Sequence, residues 1–221
     1  MMSSLDGRID GEALAAVARD DEYEATGATL KGDAWVCGRT TMEMHFAEKK
    51  PFVSASKKRV GRTPVFVARS AKSYAVCVDT HGKLRWRSSD IGGDHLICVV
   101  SEQTTEDYLA MLRDKDISYV VAGRDSIDLA AAVKKLRKDF GIRTLLLEGG
   151  GHINGAFVEA GLVDEVSLLL APGIDGRKGL PTVFDGVSSS KKRAVPLTLQ
   201  SVKRRRDGLL WLRYKVSPKG H

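Results

Sequence analysis

The fold is decided by the stretch Leu145-Leu146-Leu147-Glu148-Gly149-Gly150-Gly151, an apolar run that leads into an acid and three glycines. Short runs of large aliphatic residues are typical of strands that are covered on both faces. Glycines lack a Cβ atom and let backbone N–H groups approach a phosphate closely, and the N-terminus of a following helix adds positive potential. The stretch therefore predicts a buried strand, a turn that binds a ligand, and a helix.

Similar strands and helices alternate on the N-terminal side of this stretch. The apolar runs predict strands at Asp33–Cys37, Thr63–Ala68, Tyr74–Val78, Leu96–Ser101, Ser118–Ala122 and Thr144–Leu147. The 3.6-residue pattern and the cap residues predict helices at Thr105–Lys115, Ser126–Phe140 and about His152–Ala160, with Thr105 and Ser126 as N-caps and Gly161 as the residue after the last helix. Repeated strand–helix–strand units build parallel sheets, so we predict an α/β fold with a mostly parallel central sheet flanked by helices.

The C-terminal part has a different pattern. An apolar strand at Glu165–Ala171 is followed by a Gly/Pro-rich loop and by two strands, Leu197–Arg204 and Leu209–Val216, joined through Asp207-Gly208, a strong hairpin signal. We predict that this C-terminal antiparallel hairpin forms an edge of the sheet and that residues 1–221 form a single domain. Because edge strands are usually covered, the hairpin and the strand at Val166–Leu170 also predict a homodimer.

Composition excludes several classes of protein. No apolar run among the 221 residues approaches the roughly 18 needed to span a membrane, and residues 1–12 contain no apolar signal core, which predicts a soluble cytoplasmic protein. The net charge of +7 suits an anionic partner, but the basic clusters are short and adjoin strands, so no nucleic acid is expected as a partner. Cys37, Cys77 and Cys98 each lie in an apolar stretch, which predicts reduced core thiols and no metal site.

Two further strand ends carry groups suited to phosphates. One is Gly38-Arg39-Thr40-Thr41, where a glycine, an arginine and two hydroxyls follow a strand at the start of a helix. The other is Arg69-Ser70, which follows the predicted strand at Thr63–Ala68 and suits the 2′-phosphate that distinguishes NADPH from NADH. Ligands bind beyond the carboxyl ends of parallel strands, so the three ends together predict a groove for a dinucleotide.

The combination of SLDGRI at residues 4–9, GRTT at 38–41, LLLEGGG at 145–151 and LVDEVSLLLAPGIDG at 162–176 resembles the dihydrofolate reductase-like superfamily. More narrowly, the chain resembles the C-terminal reductase domain of the riboflavin-biosynthesis deaminase/reductase from Ser3 to Val216. The resemblance implies a dihydrofolate reductase-like fold, NADPH as the cofactor, and hydride transfer to 5-amino-6-(5-phosphoribosylamino)uracil, a small-molecule substrate.

The resemblance also implies a role for each matching residue. Glu148 matches the glutamate that contacts the substrate, and Asp6 belongs to the loop over the active site, where it is one candidate proton donor beside Glu48, His45 and water. The remaining matches concern the cofactor: Ser3 at the nicotinamide, Gly7 and Ile9 in the same loop as Asp6, Gly38, Arg39, Thr40 and Thr41 at the phosphates, Arg69 and Ser70 at the 2′-phosphate, and Gly149, Gly150 and Gly151 at the pyrophosphate.

Two departures from the family pattern keep alternatives open. The family follows its GRTT-like motif with Asp-Asn-Pro or Asp-Asp-Pro and an arginine for the substrate phosphate, whereas this chain has Met44-His45-Phe46-Ala47-Glu48. One alternative is a reductase of another pterin-like or carbonyl substrate; another is a non-catalytic protein that binds a nucleotide or a nucleic acid. Only Met1 and Met2 precede Ser3, which predicts either a short first strand or the loss of part of a longer one.

Overall fold

The structure is a computed structural model that describes residues 1–61, 65–186 and 194–217. It divides into two compact units, the central unit at Gly32–Glu148 and the terminal unit, which comprises Met1–Lys31 and the chain from Gly149 onward. The expected single domain stays a prediction. In the part of the chain that is described, no helix has the length and apolar character needed to cross a membrane.

The elements follow one another in this order. The terminal unit begins with β1 (Met2–Ser3), α1 (Glu12–Ala15) and α2 (Asp20–Ala28). The central unit contains β2 (Ala34–Gly38), α3 (Arg39–His45), β3 (Tyr74–Val78), β4 (Asp90–Ile91), β5 (Asp94–Val100), α4 (Glu106–Asp114), β6 (Ser118–Val121), α5 (Leu129–Phe140) and β7 (Leu145–Gly149). The terminal unit resumes with α6 (Gly151–Glu159), β8 (Glu165–Leu170), β9 (Leu197–Arg204) and β10 (Leu210–Val216).

A six-stranded sheet forms the middle of the central unit. β6, β5, β3 and β2 are successive neighbours and pair in parallel, and β7 adjoins β2 on the other side. The amide of Ala34 donates to the carbonyl of Thr144, and Glu148 acts electrostatically on Cys37, so β7 runs in the same direction as β2. Short β4 pairs antiparallel with the start of β5, through the turn at Gly92-Gly93. The predicted mostly parallel sheet is confirmed.

Helices cover this sheet because their apolar faces match its buried strands. In α4 the side chains of Tyr108, Leu109 and Leu112 are buried in the main core cluster, while charged residues occupy the opposite face. In α5 the N-cap is Asp128, whose carboxylate accepts from the amide of Ala131, so the expectation of a Ser126 cap is wrong. Asp128 lies immediately before the first helical residue, where a side-chain oxygen reaches the free N–H groups of the first turn.

The three cysteines form a row across the central unit. Cys37 pairs with Cys77 and Cys77 with Cys98 on the adjacent strands β2, β3 and β5, and all three are buried free thiols. Burial raises the pKa of Cys37 to about 12 and also raises the pKa values of Cys77 and Cys98 well above the ordinary thiol range. The thiols therefore belong to the core, as the sequence predicts.

A second sheet forms the terminal unit, with the strand order β1, β8, β10, β9. β1 pairs in parallel with β8, and β10 pairs antiparallel with both β8 and β9. The hairpin turns at Asp207 and Gly208, which both have positive φ, as Asp-Gly turns require. The core of this unit contains Leu169, Leu209 and Trp211.

Three local expectations of the sequence analysis are wrong. The hairpin does not edge the parallel sheet, because β10 is paired along its whole length with β8 and β9 in the second sheet. β8 is not an edge, because β1 and β10 flank it; among the described residues the edges of this sheet are the two-residue β1 and the longer, exposed β9. The predicted strand at Thr63–Ala68 is also absent over its described residues 65–68, where Phe66 makes only an isolated antiparallel bridge with Tyr119; residues 62–64 lie outside the described part.

Candidate active site

The strand order of the central unit reverses between β2 and β7. From β2 the chain adds β3, β5 and β6 on one side, and it then returns to place β7 on the other side. In open parallel sheets such a reversal opens a crevice at the carboxyl ends of the two strands, where ligands bind. The chain segments at this crevice are therefore the one that follows β2 and the one that ends β7.

The segment after β2 is Gly38-Arg39-Thr40-Thr41. Gly38 is the N-cap of α3 and has no side chain that could cap the helix, and the first turn holds no acidic residue. Thr40 is exposed, and Arg39 is half-exposed and pairs with Glu43 one turn later in the helix. The segment thus has a cation and a hydroxyl at the crevice, and its binding of a phosphate stays a prediction.

The segment that ends β7 is Glu148-Gly149-Gly150. Glu148 is half-buried and lies at the carboxyl end of β7, which adjoins β2. Burial, and then the charge of Glu148, raise the pKa of the Cys37 thiol on β2. Gly149 has a φ of 117°, a value that side-chain-bearing residues rarely adopt, and the peptide bond to Gly150 is cis. Glu148 and the Gly38–Thr41 segment are therefore predicted site residues that the fold brings together.

Gly151 serves the packing of the terminal unit. A Cβ atom at Gly151 would lie 2.3 Å from the carbonyl oxygen of Thr182 and 2.3 Å from a carboxylate oxygen of Asp185. The amide of Asp185 also donates to the carbonyl of Gly151 over 2.9 Å. A glycine is needed at position 151 because Thr182 and Asp185 of the same chain pack directly against it. The structure lends no support to the expectation that Gly151 approaches a phosphate.

Further polar residues at the carboxyl ends of the sheet escaped the sequence analysis. Asp79 follows β3, Ser101 follows β5, and Gly123 follows β6 by two residues, with a φ of 89°. Asp79 is fully buried; one carboxylate oxygen accepts from the amides of Lys83 and Leu84, and the other has no hydrogen-bond partner among the described residues. Burial raises the pKa of Asp79. The signal that identifies these positions is a polar residue or glycine directly after each Val/Cys-rich run.

Arg69 and Ser70 lie at the opposite end of the parallel strands. They precede β3, and Arg69 pairs with Asp90 and donates from Nε to Nδ1 of His95, near the start of β5. The expectation that a strand ends at Arg69 is therefore wrong, because the residues before it only run beside the start of β6, where Ala68 donates to the Ser118 hydroxyl. A role of this pair at a 2′-phosphate stays a prediction without support from its position.

In the terminal unit, Asp6 ties two loops together. Its carboxylate accepts from the Ser4 hydroxyl over 2.6 Å and from the amides of Asp175 and Gly176 over 3.0 and 2.8 Å. The Ser4 hydroxyl and these amides hold the pKa of Asp6 well below its usual range. Asp6 is therefore ionised at neutral pH and unsuited to donating a proton.

The remaining predicted residues of this loop are Ser3, Gly7 and Ile9. Gly7 has a φ of 84°. Its carbonyl accepts a hydrogen bond from the amide of Val183, and the amide of Ile9 donates to the carbonyl of Pro181. These two bonds join the loop to residues 181–183. Ser3 is only 1% exposed, and its hydroxyl has no hydrogen-bond partner in the described part of the chain. A buried hydroxyl without a partner is the kind of group that a ligand satisfies.

The other candidate proton donors differ in their surroundings. Glu48 lies 3.7 Å from Arg85 in an ion pair, and His45 is exposed in the last turn of α3. Neither is among the residues that the reversal of strand order brings to the crevice. Among the described residues there is also no group of three His, Cys, Asp or Glu side chains arranged to hold a metal ion.

Comparison with protein families gives a match to the model of the RibD C-terminal domain over residues 1–211. The chain is 40% identical over 87 residues to the 2,5-diamino-6-ribosylamino-4(3H)-pyrimidinone 5′-phosphate reductase of Methanothermobacter thermautotrophicus, a match that spans 39% of each protein. It is 24% identical to the reductase of the same name from Archaeoglobus fulgidus, over 86% of each chain.

Comparison with solved structures identifies the same fold. The structure of a pyrimidine reductase-like protein from Corynebacterium diphtheriae superimposes with a TM-score of 0.72 at 18% identity, covering 99% of this chain and 90% of the other. The similarity supports the predicted α/β architecture across both units.

Proposed function

The chain belongs to the RibD C-terminal domain family, and from this premise we propose that it is an NADPH-dependent reductase of riboflavin biosynthesis acting on a phosphoribosylaminopyrimidine. The two archaeal relatives are reductases of the 5′-phosphate of 2,5-diamino-6-ribosylamino-4(3H)-pyrimidinone. We extend that substrate class to this chain. The reaction would convert the ribosyl group of the substrate into a ribityl group by hydride transfer.

The observation that carries the proposal is the position of Glu148. Glu148 lies at the carboxyl end of β7 at the reversal of strand order, next to the strand β2 that leads into the Gly38–Thr41 segment, where a parallel sheet binds its ligand. An ionised carboxylate accepts hydrogen bonds and donates none, so it suits a substrate rich in hydroxyl and amino groups. We propose that Glu148 holds the sugar or amino group of the substrate in the orientation that hydride transfer requires.

The residues at the crevice also fit a reduced nicotinamide dinucleotide. Arg39 and Thr40 would hold phosphate oxygens, and the backbone of Gly38 would pass close to the dinucleotide without a side chain in the way. The cofactor, when bound, supplies the hydride. The contribution of the protein is to bind both molecules, to orient them and to exclude water from the reacting atoms.

A second candidate function is the reduction of another pterin-like or carbonyl substrate. Where the family carries an arginine for the substrate phosphate, this chain has Met44-His45-Phe46-Ala47-Glu48, and the side chains of Met44 and Phe46 are 62% and 42% exposed. An apolar surface does not bind a phosphate. This difference favours a substrate that lacks the 5′-phosphate.

Titration of the purified protein with NADPH and with NADH, followed by fluorescence, is the first test. We expect NADPH to bind with the higher affinity, and binding of neither would contradict the proposal. Oxidation of NADPH is then measured with the phosphorylated pyrimidine, its dephosphorylated form, and dihydrofolate. Turnover of the first supports the riboflavin-pathway reaction, turnover of the second or of dihydrofolate alone supports the alternative, and turnover of none of the three contradicts both.

We also propose a homodimer that forms through β9, and we retain a cytoplasmic location as a prediction. β9 is an exposed edge strand of its sheet, and Leu197, Leu199 and Val202 on it are 43%, 51% and 52% exposed. Such an edge is normally covered. Light scattering should give twice the mass of the chain, and Leu199→Glu should shift it to the monomer; a monomeric native protein would disprove the dimer.

A further inference from the structure

The central unit contains a cavity of about 490 Å³ that the proposed reaction does not use. It lies between residues 50–53, Arg85 and the C-terminal half of α4. Its apolar wall consists of Pro51, Phe52, Val53 and Met111. This volume is within the range of small-molecule sites, roughly 300–1,000 Å³.

Hydrogen bonds and packing fix the walls of this cavity. The amide of Phe52 donates to the carbonyl of Lys83 over 2.8 Å, and the Phe52 ring packs edge-on against Tyr108 with 5.1 Å between ring centroids. One residue beyond Val53, the Ser54 hydroxyl donates to the carboxylate of Asp107 in α4 over 2.7 Å. The segment 50–53 is thus held on both sides, so the cavity exists before any ligand binds.

The charged residues around the cavity are predominantly basic. Lys50, Arg85 and Lys115 line it, and none of the described residues that line it is acidic. The carboxylate of Glu48 lies 3.7 Å from Arg85 and offsets part of one charge. Three cations around an apolar wall favour a ligand with a hydrophobic body and a negative group.

The cavity is separate from the crevice at the carboxyl ends of the strands. Helix α4 follows β5 and leads into β6, so it runs from the carboxyl ends back to the amino ends of these parallel strands. Met111 lies in the last turn of α4 and Lys115 is its C-cap residue, so both lie toward the amino ends of the strands. A ligand among them lies toward the amino ends of these strands, whereas the Gly38–Thr41 segment follows the carboxyl end of β2.

We propose that this cavity is a second ligand site that binds a small planar aromatic anion. The aromatic ring would lie against Phe52 and Met111, and the anionic group would lie among Lys50, Arg85 and Lys115. Both parts of the ligand are required, because the exposed cations alone bind an anion weakly in water and the apolar wall alone is open to solvent.

The test uses 1-naphthyl phosphate as the probe, with 1-naphthol and inorganic phosphate as its two halves. Calorimetry at low ionic strength should show saturable binding of 1-naphthyl phosphate and at least tenfold weaker binding of each half. Equal affinity for 1-naphthol, or no binding of 1-naphthyl phosphate at millimolar concentration, would overturn the proposal. Saturating NADPH should leave the affinity unchanged, whereas competition would place the probe in the cofactor site and overturn it too.

Variants locate the bound probe. Lys50→Glu reverses one exposed charge and should weaken binding at least fivefold, because loss of the attraction of one nearby unit charge alone accounts for roughly 1 kcal/mol in water and the new carboxylate adds repulsion. Val53→Asp places a carboxylate on a side chain that is 83% exposed, so folding should be unaffected while binding falls by a similar factor or more. Lys72→Glu, at an exposed lysine outside the cavity, is the matched control. Equal affinity in all three variants would refute the site.

Discussion

The guanidinium of Arg69 donates from Nε to Nδ1 of His95 over 3.1 Å, at the amino ends of the parallel strands. Because Nδ1 accepts this bond, the neutral imidazole carries its proton on Nε2 and donates it to the Ser118 hydroxyl over 2.8 Å. Arg69 also pairs with Asp90. The N–H groups of Arg69 thus hold β4, β5 and the segment before β3 together. The role of Arg69 is therefore structural.

Arg39 and Arg69 should therefore respond differently to substitution. Arg39→Gln should raise the Kd for NADPH roughly tenfold, because it removes a charged donor at the crevice. Arg69→Gln should leave that Kd within about twofold and lower the free energy of unfolding by about 1 kcal/mol. Fluorescence titration and urea unfolding measure the two effects, and loss of NADPH preference in Arg69→Gln alone would restore the role predicted from the sequence.

His95 should make stability depend on pH. Burial, and then the charge of Arg69, lower its pKa below the usual value, although Asp90 and Asp116 act in the opposite direction. Below about pH 6.5 the unfolded chain takes up a proton that the folded protein does not, so stability falls as the pH falls, by at most about 1.4 kcal/mol per pH unit. Urea unfolding at pH 7.5 and 5.5 should show a smaller loss in His95→Gln than in the native protein, and an equal loss would contradict this.

Substitution of Glu148 separates the substrate from the cofactor. Glu148→Gln keeps the shape but removes the charge, so we expect turnover to fall roughly 10- to 100-fold with NADPH affinity little changed. Glu24→Gln, at an exposed position on α2, is the control. Unchanged turnover in Glu148→Gln would refute the role proposed for this carboxylate.

The neighbouring serines Ser3 and Ser4 form a matched pair, since both are 1% exposed. The Ser4 hydroxyl donates to Asp6 and accepts from the amide of Arg8, so Ser4→Ala should lower the free energy of unfolding by about 1 kcal/mol or more. The Ser3 hydroxyl has no partner among the described residues, so Ser3→Ala should not destabilise the protein. If Ser3 contacts the nicotinamide, the same variant should bind NADPH several-fold more weakly; equal affinity would remove that role.

The loop held by Asp6 gives a prediction about local opening. Asp6→Asn replaces one of the two carboxylate oxygens by an NH₂ group, which cannot accept a hydrogen bond, and the amides of Asp175 and Gly176 donate to different oxygens. We therefore expect hydrogen exchange of one of these two amides to become roughly tenfold faster. The acidic limb of the kcat profile should not move, because Asp6 is already ionised, and a shift of that limb would show that Asp6 does take part in proton transfer.

Strands with strong local signals were predictable from the sequence. Tyr74–Val78 and Leu197–Arg204 have the predicted bounds, and Gly161 follows the last predicted helix with a φ of 70°. In these segments the apolar runs and the turn residues all indicate one structure. Helix α2 was missed because its acidic, weakly amphipathic sequence gives no helical period.

Long-range pairing decided the features that the sequence did not predict. Val65-Phe66-Val67 has the composition of a strand, yet Phe66 stacks on Tyr119, with 5.3 Å between ring centroids, and makes a single bridge. Because a strand was predicted before Arg69, this residue was expected at the carboxyl ends of the parallel strands, whereas it lies at their amino ends. The residues at the crevice were predictable because a glycine or an acid directly after an apolar run marks a carboxyl end, wherever the strand pairs.

The row of Cys37, Cys77 and Cys98 makes the chain convenient for chemical labelling. All three thiols are buried in the middle of the central sheet, with pKa values far above neutrality, so a thiol reagent has no reactive thiolate to attack in the folded protein. A cysteine introduced on the surface would then carry a fluorophore or spin label at one defined position. In the native chain, slow modification would instead report the moments at which β2, β3 and β5 separate.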